Sequence, residues 1–346
     1  MATSADRTPS AGAPPPLLGR LRLALFGIPD SETLPERRGF AVDDPAVGER
    51  LARIGATFLV GYRAGLLDPR PARLAAALDR VPVGWRGFAW EGAGFALALV
   101  DTIAPRLGRP GRLEEILAGA GAPHVYLVAV GSGWSLARLP KRIDRHLARL
   151  DPLVAWLALD GYGFHHGYFR HREVIDRQVL PRRLTGYRRC GFDQGLGRSL
   201  WFVAGADPER VARVVGNFPA ERRGDLWSGV GLACAYAGGV ERAVVERLAR
   251  VAGEHCGDVA QGVAFAAKSR ILAADAAPQT ELGCRVLWGL SAEATAGLAD
   301  EVYVERVAPR IEAEPGRLAT APGEPLYETW RRGVRERHAE RWEMTG

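Results

Sequence analysis

Apolar residues recur every three to four positions over long stretches of this chain, the spacing of amphipathic or buried helices. The periodic stretches are Asp44–Leu66, Ala72–Asp79, Trp90–Ile103, Leu113–Ala120, Val125–Leu139, Arg142–Leu150, Val174–Val179, Pro208–Val215, Leu226–Ala237, Arg242–Cys256, Val259–Ala273 and Ala292–Val307. Pro and Gly punctuate them, as at Asp68-Pro69, Pro181 and Gly238-Gly239. Period-two alternation is rare, and only Phe58–Val60 and Ser199–Val203 suggest short strands. The pattern predicts a mainly α fold with few or no strands.

The chain also resembles itself. Pro82–Ala98 (PVGWRGFAWEGAGFALA) and Pro219–Ala235 (PAERRGDLWSGVGLACA) align at a constant offset of 137 residues, with eight identities in seventeen positions. Weaker echoes flank both copies. Two homologous halves are expected, about 45–150 and 180–275, joined by 151–180 and related by a pseudo-twofold axis within one helical domain, 17–312. Residues 1–16, rich in Ala, Pro, Ser and Gly, are expected to be a disordered tail. Residues 313–346 are expected to be a charged extension, its helix solvated and laced by pairs such as Arg332–Glu336 and Arg337–Glu340. Gly inside a helix costs about 0.8–1 kcal/mol relative to Ala. Two per repeated helix therefore need a reason, either close helix crossing or room for a flat ligand.

Composition narrows the function. The chain has 346 residues, 47% of them hydrophobic and 25% charged, which excludes global disorder. No apolar run reaches the roughly 20 residues of a membrane span. The net charge is +6, but only Lys141 and Lys268 are lysines, and the arginines are scattered among 40 acids. That is not the footprint of a nucleic-acid binder. Cys190, Cys234, Cys256 and Cys284 lie far apart, with no zinc spacing, so free thiols in a cytoplasmic protein are expected.

Candidate chemistry sits where the two copies differ and where polar and aromatic residues crowd. Glu91 faces Ser228 in the alignment, Asp101 faces Gly238, and Phe88 faces Asp225. A carboxylate on the Gly/Ala helix beside Trp90 would be desolvated and its pKa raised, which suits a general acid or base. A salt bridge to Arg86 or Arg138 is the competing reading of Glu91. Asp160-Gly-Tyr-Gly-Phe-His-His-Gly-Tyr-Phe gathers Asp160, Tyr162, Phe164, His165, His166 and Tyr168. It reads either as a proton-transfer cluster or as an aromatic linker between the halves. Metal binding is not expected, because adjacent His side chains diverge and no HxH or HxxxH spacing supports them. In Gly191–Trp201, an Asp193–Arg198 pair across a turn is expected, with anion binding by Arg198 as the alternative. The stretch from His124 to Arg138 adds Tyr126 and Trp134 as an aromatic wall. No GxSxG elbow, Walker lysine, dinucleotide fingerprint or aspartate-rich diphosphate motif occurs, so no cofactor is expected.

RGFAWEGAGFALALVD (86–101), GSGWSLARLP (131–140), DGYGFHHGYF (160–169), FDQGLGRSLWFV (192–203) and RGDLWSGVGLACAYAGG (223–239) resemble the UnbL-type family, domain of unknown function 1702. The likeness runs from about Leu21 to about Glu312. It implies an accessory role in bacterial secondary metabolism, on a polyene or enediyne-type precursor, beside other proteins of the same gene cluster. It carries over no catalytic residues. Two classes of function remain open. One is an enzyme, a cofactor-independent isomerase or cyclase. In it Glu91, Asp101, Asp160, His165 and His166 would move protons. Trp90, Trp134, Tyr162, Phe164, Tyr168, Arg198, Arg223 and Trp227 would hold a hydrophobic substrate. An atypical isoprenoid cyclase is a variant of it. The other class is a non-catalytic polyene-binding or scaffold protein.

Overall fold

A computed structural model describes residues 17–343 apart from 107, 140 and 141. The expected disordered tail, 1–16, lies outside the described residues. Among the described residues every regular element is helical and there is no strand. Among the described residues no helix is long and apolar enough to cross a membrane. The two stretches that suggested strands lie inside helices. Phe58–Val60 belongs to a helix of 23 residues, and the run from Ser199 ends a helix of 16. Short β-branched and aromatic runs cannot by themselves distinguish a buried helix from a strand. All four cysteines are free.

Seven long helices form the body: α1 (Pro45–Leu67), α2 (Val83–Ile103), α3 (Val125–Arg138), α4 (Leu157–Phe169), α5 (Arg188–Val203), α6 (Ala220–Tyr236) and α7 (Cys256–Leu272). The signals that start them are local where they are strong. Asp44 caps α1 by accepting from the Ala46 N–H, with Pro45 as the first helical residue. Asp207-Pro208 starts the connecting helix Pro208–Gly216 in the same way.

Each of these helices packs on the next in chain order, and one rule builds all six crossings. A Cβ added to Gly61 would lie 1.7 Å from the Ala89 carbonyl oxygen, and one added to Gly92 would lie 2.0 Å from that of Phe58. Each glycine thus receives the carbonyl three residues before its opposite number. The same reciprocity joins Gly94 with Gly131, Gly133 with Gly161, Gly163 with Gly195, Gly197 with Gly229, and Gly231 with Gly262. In α2 to α6 the first glycine of a Gly-x-Gly takes the preceding helix and the second takes the following one. Two residues on a helix are about 200° apart, so one Gly-x-Gly opens notches on opposite sides. Close approach of this kind also favours Cα–H···O contacts between backbones. The glycines of α2 and α6 therefore meet their chain neighbours, not each other across an axis.

The row of helices curls until its ends meet. The Tyr236 ring of α6 packs edge-on against Phe88 of α2, with centroids 5.3 Å apart. Arg270 of α7 donates to the Gly84 carbonyl at 3.0 Å, and Arg50 of α1 to the Ala237 carbonyl at 2.6 Å. The result is a ring of helices around a central space. A final helix, α8 (Leu326–Glu343), lies against α7 and buries Tyr327, Trp330, Arg331 and Val334. It is docked rather than solvated. Arg331 donates to Asp225 at 2.7 Å, and the Trp330 indole donates to the Ala299 carbonyl at 2.7 Å. The expected exposed pairs Arg332–Glu336 (3.7 Å) and Arg337–Glu340 (3.3 Å) do form on its outer side.

Arg86 and Arg223, aligned in the sequence repeat, do one local job. Arg86 donates to the carbonyls of Val81 (3.2 Å) and Asp79 (2.9 Å), and Arg223 to those of Phe218 (2.8 Å) and Gly216 (2.9 Å). Each ties the preceding connection to the start of its own helix. Arg223→Ala is expected to cost about 1 kcal/mol of stability in chemical denaturation, the net worth of such bonds, with ligand binding in the central space unchanged.

Candidate functional site

The ring encloses about 1070 Å³ of space free of protein atoms, counting its open mouth. Most of that space is narrow and lies close against the walls. All seven ring helices line it, together with Ile28, Glu32 and Thr33 of the N-terminal segment and Tyr327 and Trp330 of α8. The walls are aromatic and aliphatic. Phe58 stacks on Trp134 at 4.3 Å, and Trp134 leans on Phe164 at 5.6 Å.

Apart from Glu32, which pairs with Arg38 at 2.6 Å, the charged side chains that line this chamber form one cluster. Arg198 of α5 donates to Glu91 of α2 at 3.2 Å and to Asp160 of α4 at 2.7 Å. Glu91 and Arg198 sit on helices that are not ring neighbours, so the pair bridges the chamber. Their exposures are 4% for Glu91, 7% for Arg198 and 0% for Asp160. Gln194, one turn before Arg198, donates to the second Asp160 oxygen at 2.8 Å and is itself bonded to the Tyr327 hydroxyl. The Arg198 guanidinium lies 4.8 Å from the centre of the Phe164 ring.

Burial sets the electrostatics. It pushes the Glu91 carboxyl above its ordinary pKa, against the pull of Arg198. It raises Asp160 too, against Arg198 and Gln194. Burial pulls Arg198 down, but Asp160 and Glu91 outweigh it and hold the guanidinium above its ordinary value. Two carboxyls share one cation, and their partners are unequal. Asp160 has two short donors, whereas Glu91 has one longer bond. The Trp134 indole N–H, unbonded among the described residues, lies close enough to Glu91 to favour its charged form weakly. Of the two carboxyls, Glu91 is the more weakly held and so the better placed to take up a proton.

The expected site residues divide. Glu91, Trp134, Phe164, Tyr168 and Arg198 line the chamber, and Asp160 stands directly behind Arg198. The other expected residues lie elsewhere. Asp101 accepts from the backbone N–H groups of Arg112 and Leu113, at 3.0 Å each, and so holds the start of the helix Arg112–Leu117. Trp90 stacks on His124 at 5.5 Å, Tyr162 accepts from Arg183 at 3.0 Å, and Arg223 ties backbone as described. Trp227 is buried away from the lining. His165 and His166 are buried but are not lining residues. His166 bonds its Nδ1 to the Tyr162 carbonyl at 3.1 Å, and burial lowers its pKa to about 4. Its ring faces Tyr162 and Phe192. No group of His, Cys, Asp and Glu suited to a metal occurs among the described residues.

The expected Asp193–Arg198 pair does not form. Asp193 and Arg198 are five residues apart on one helix and point to different sides of it. Asp193 pairs instead with Arg222 at 2.8 Å, and burial pushes its pKa up to about 6. Glu91 does form a salt bridge, but with Arg198 rather than with Arg86 or Arg138, the partners of the competing reading. Sequence reasoning missed Phe58, Phe202, Tyr236, Tyr327 and Trp330 as lining residues. A signal did exist. The residue before each Gly-x-Gly, or before the lone Gly262, is Glu91, Asp160, Gln194, Ser228 or Gln261 in five of the helices, a polar residue at one register position.

No curated protein and no solved structure matches this chain. A family model does match, over residues 17–338, and its description is "Protein of unknown function (DUF1702)". The match takes in the whole ring and most of α8, beyond the limit near Glu312 that the sequence motifs suggested. With nearly its full length covered, including every helix that builds the chamber, the chain belongs to the DUF1702 family.

Proposed function

We propose that the ring holds a long, conjugated hydrocarbon chain and that Glu91 moves a proton on it, in a cofactor-independent isomerisation or cyclisation within bacterial secondary metabolism. The observation that carries this reading is the Glu91–Arg198–Asp160 set, the charged group that bridges a mainly apolar, narrow chamber. A narrow aromatic slot suits an extended apolar chain better than a compact polar one. In its protonated form, which burial favours, Glu91 gives its proton to one carbon of a double bond. The allylic cation that results lies against the faces of Phe58, Trp134 and Phe164, which stabilise positive charge. Arg198 and ionised Asp160 hold the new Glu91 carboxylate in place. Loss of a proton from another carbon back to Glu91 completes an isomerisation, and attack by a remote double bond before that loss gives a ring. One proton leaves Glu91 and one returns, so no co-reactant is consumed.

The equivalent Arg86 and Arg223 contacts support a related inference, that the chain arose by duplication. The 137-residue offset spans four steps from one Gly-x-Gly helix to the next, from Gly92 to Gly229.

The test is Glu91→Gln in the strain that carries the gene. The amide keeps the size of the side chain and can still accept from Arg198. The expected result is loss of the final product and accumulation of a hydrocarbon precursor. Full product from a folded Glu91→Gln protein would refute proton transfer and leave a shielding protein.

A further inference from the structure

The helix Leu17–Phe26, ahead of the ring, turns most of its leucines away from the protein. Its inward face is fixed by α1. A Cβ added to Gly19 would lie 2.1 Å from the Leu67 carbonyl oxygen, and the Phe26 carbonyl accepts from the Tyr62 hydroxyl at 2.8 Å. Leu23 and Phe26 pack against the core on the same side. Leu17, Leu18, Leu21 and Leu25 point the other way and are between 54% and 82% exposed, with Ala24 exposed beside them. At about 100° per residue these five share one face, with Leu21 at its centre. A single exposed leucine is ordinary on a protein surface, but four on one helix of ten residues make a patch.

The charge on this helix is wholly positive. Arg20 and Arg22 adjoin Leu21 in the sequence, so they stand about 100° to either side of it, and the helix holds no acidic residue. The charges that act on Arg22 from the body are already committed, Arg112 to Asp101 and Asp68 to Arg70. Leucines outward with arginines along both edges fit a helix lying in the surface of a membrane. The leucines enter the acyl boundary and the guanidiniums stay among anionic headgroups.

Other coverings fit this face less well. Residues 1–16 contain no large apolar residue other than Met1, so they lack the side chains to fill a leucine stripe. The patch offers roughly 500 Å², short of the about 800 Å² that each partner buries in a stable protein complex.

We propose that the helix Leu17–Phe26 seats the protein on an anionic lipid bilayer, with Leu17, Leu18, Leu21 and Leu25 in the interface and Arg20 and Arg22 against the headgroups. With ten residues, about 15 Å, the helix lies on the bilayer and does not cross it. It ends two residues before Ile28, a lining residue, so the seated helix and one wall of the chamber belong to one short segment. The proposal goes beyond the reading of the chamber and stands or falls separately from it.

Co-sedimentation of the full chain with phosphatidylcholine–phosphatidylglycerol vesicles, and with vesicles of phosphatidylcholine alone, tests the assignment. The expected result is binding to the mixed vesicles, weaker by about tenfold or more on pure phosphatidylcholine, because each arginine at an anionic surface is worth about fivefold. Arg20→Gln is expected to weaken binding to the mixed vesicles about fivefold and to leave binding to phosphatidylcholine unchanged. The triple variant Leu17→Gln, Leu21→Gln, Leu25→Gln alters exposed side chains alone. It should keep the melting temperature of the parent and bind the mixed vesicles at least about tenfold more weakly. The proposal is overturned if the parent sediments with neither vesicle, shows no preference for the mixed one, or is matched by the triple variant. A parent that is dimeric by light scattering, and monomeric as the triple variant, would assign the face to a second copy and overturn it as well.

Discussion

Arg198→Met is expected to lower the unfolding free energy by roughly 3–5 kcal/mol at neutral pH, the cost of removing one partner from a buried ion pair. Arg198 is the guanidinium bonded to both Glu91 and Asp160, and all three groups are nearly inaccessible to water. Without it, two carboxyls remain in an apolar chamber with only Gln194 to satisfy one oxygen. They would then fold as neutral acids, with folded pKa values raised above those of the unfolded chain. A group shifted that way contributes its full stability below its unfolded pKa and loses it as pH rises through the folded value. The variant should therefore be more stable near pH 4 than at pH 7, measured by denaturant titration at both. The triple variant Glu91→Gln, Asp160→Asn, Arg198→Met should recover most of the loss, because no buried charge is left. A single Arg198→Met protein as stable as the parent would mean that the bridge is not loaded as the structure places it.

Gly195→Ala should cost about 3 kcal/mol or more, the upper part of the range for inserting a methyl group into a packed interior. The added Cβ would lie 1.7 Å from the Asp160 carbonyl oxygen and 2.8 Å from the Asp160 Cα. Both are backbone atoms on a rigid helix, so α4 and α5 must separate. Asp160 would then move relative to Arg198 and Gln194, and the charged bridge would be disturbed from behind. Gly216→Ala is the control. It ends the helix Pro208–Gly216, has open space where its Cβ would go, and is expected to be neutral or stabilising by a few tenths of a kcal/mol up to about 1 kcal/mol. Thermal melts of the two variants separate close packing from the general cost of losing a glycine. Equal melting temperatures would show that the crossings are not as tight as they stand here.

The helices that sequence periodicity found best are those with strong local signals. Asp44-Pro45 and Asp207-Pro208 mark their starts because a capping carboxylate and a fixed φ act within one turn. The segment 160–169 and the segment 191–201 did not look helical, because glycine is a poor helix former and both are rich in it. They are α4 and α5, the two helices that hold Asp160, Gln194 and Arg198. Their low propensity is overcome by burial on nearly every side. The alignment of the two Trp-containing helices drew attention to a 137-residue offset, while the shorter Gly-x-Gly period from helix to helix went unnoticed. Aromatic crowding singled out Tyr162, and the internal repeat Trp90 and Trp227, yet direction around a helix, not density along the chain, decides which rings reach the chamber.

The sequence by itself determined that this chain is helical, where most of its helices lie, that Glu91 sits on a helix of small residues, and which family it resembles. These follow from local propensity, periodicity and residue type, which act over a few positions. Tertiary structure alone decided that the small residues are notches for chain neighbours, that the row closes on itself, and that Arg198 meets Glu91 and Asp160 rather than Asp193. It alone docked the charged C-terminal helix so that Tyr327 and Trp330 face inward. Glu91 and Arg198 are 107 residues apart, and no short-range rule of chain geometry fixes which arginine a buried carboxylate meets. That choice is made only when the ring closes and water is excluded from between them.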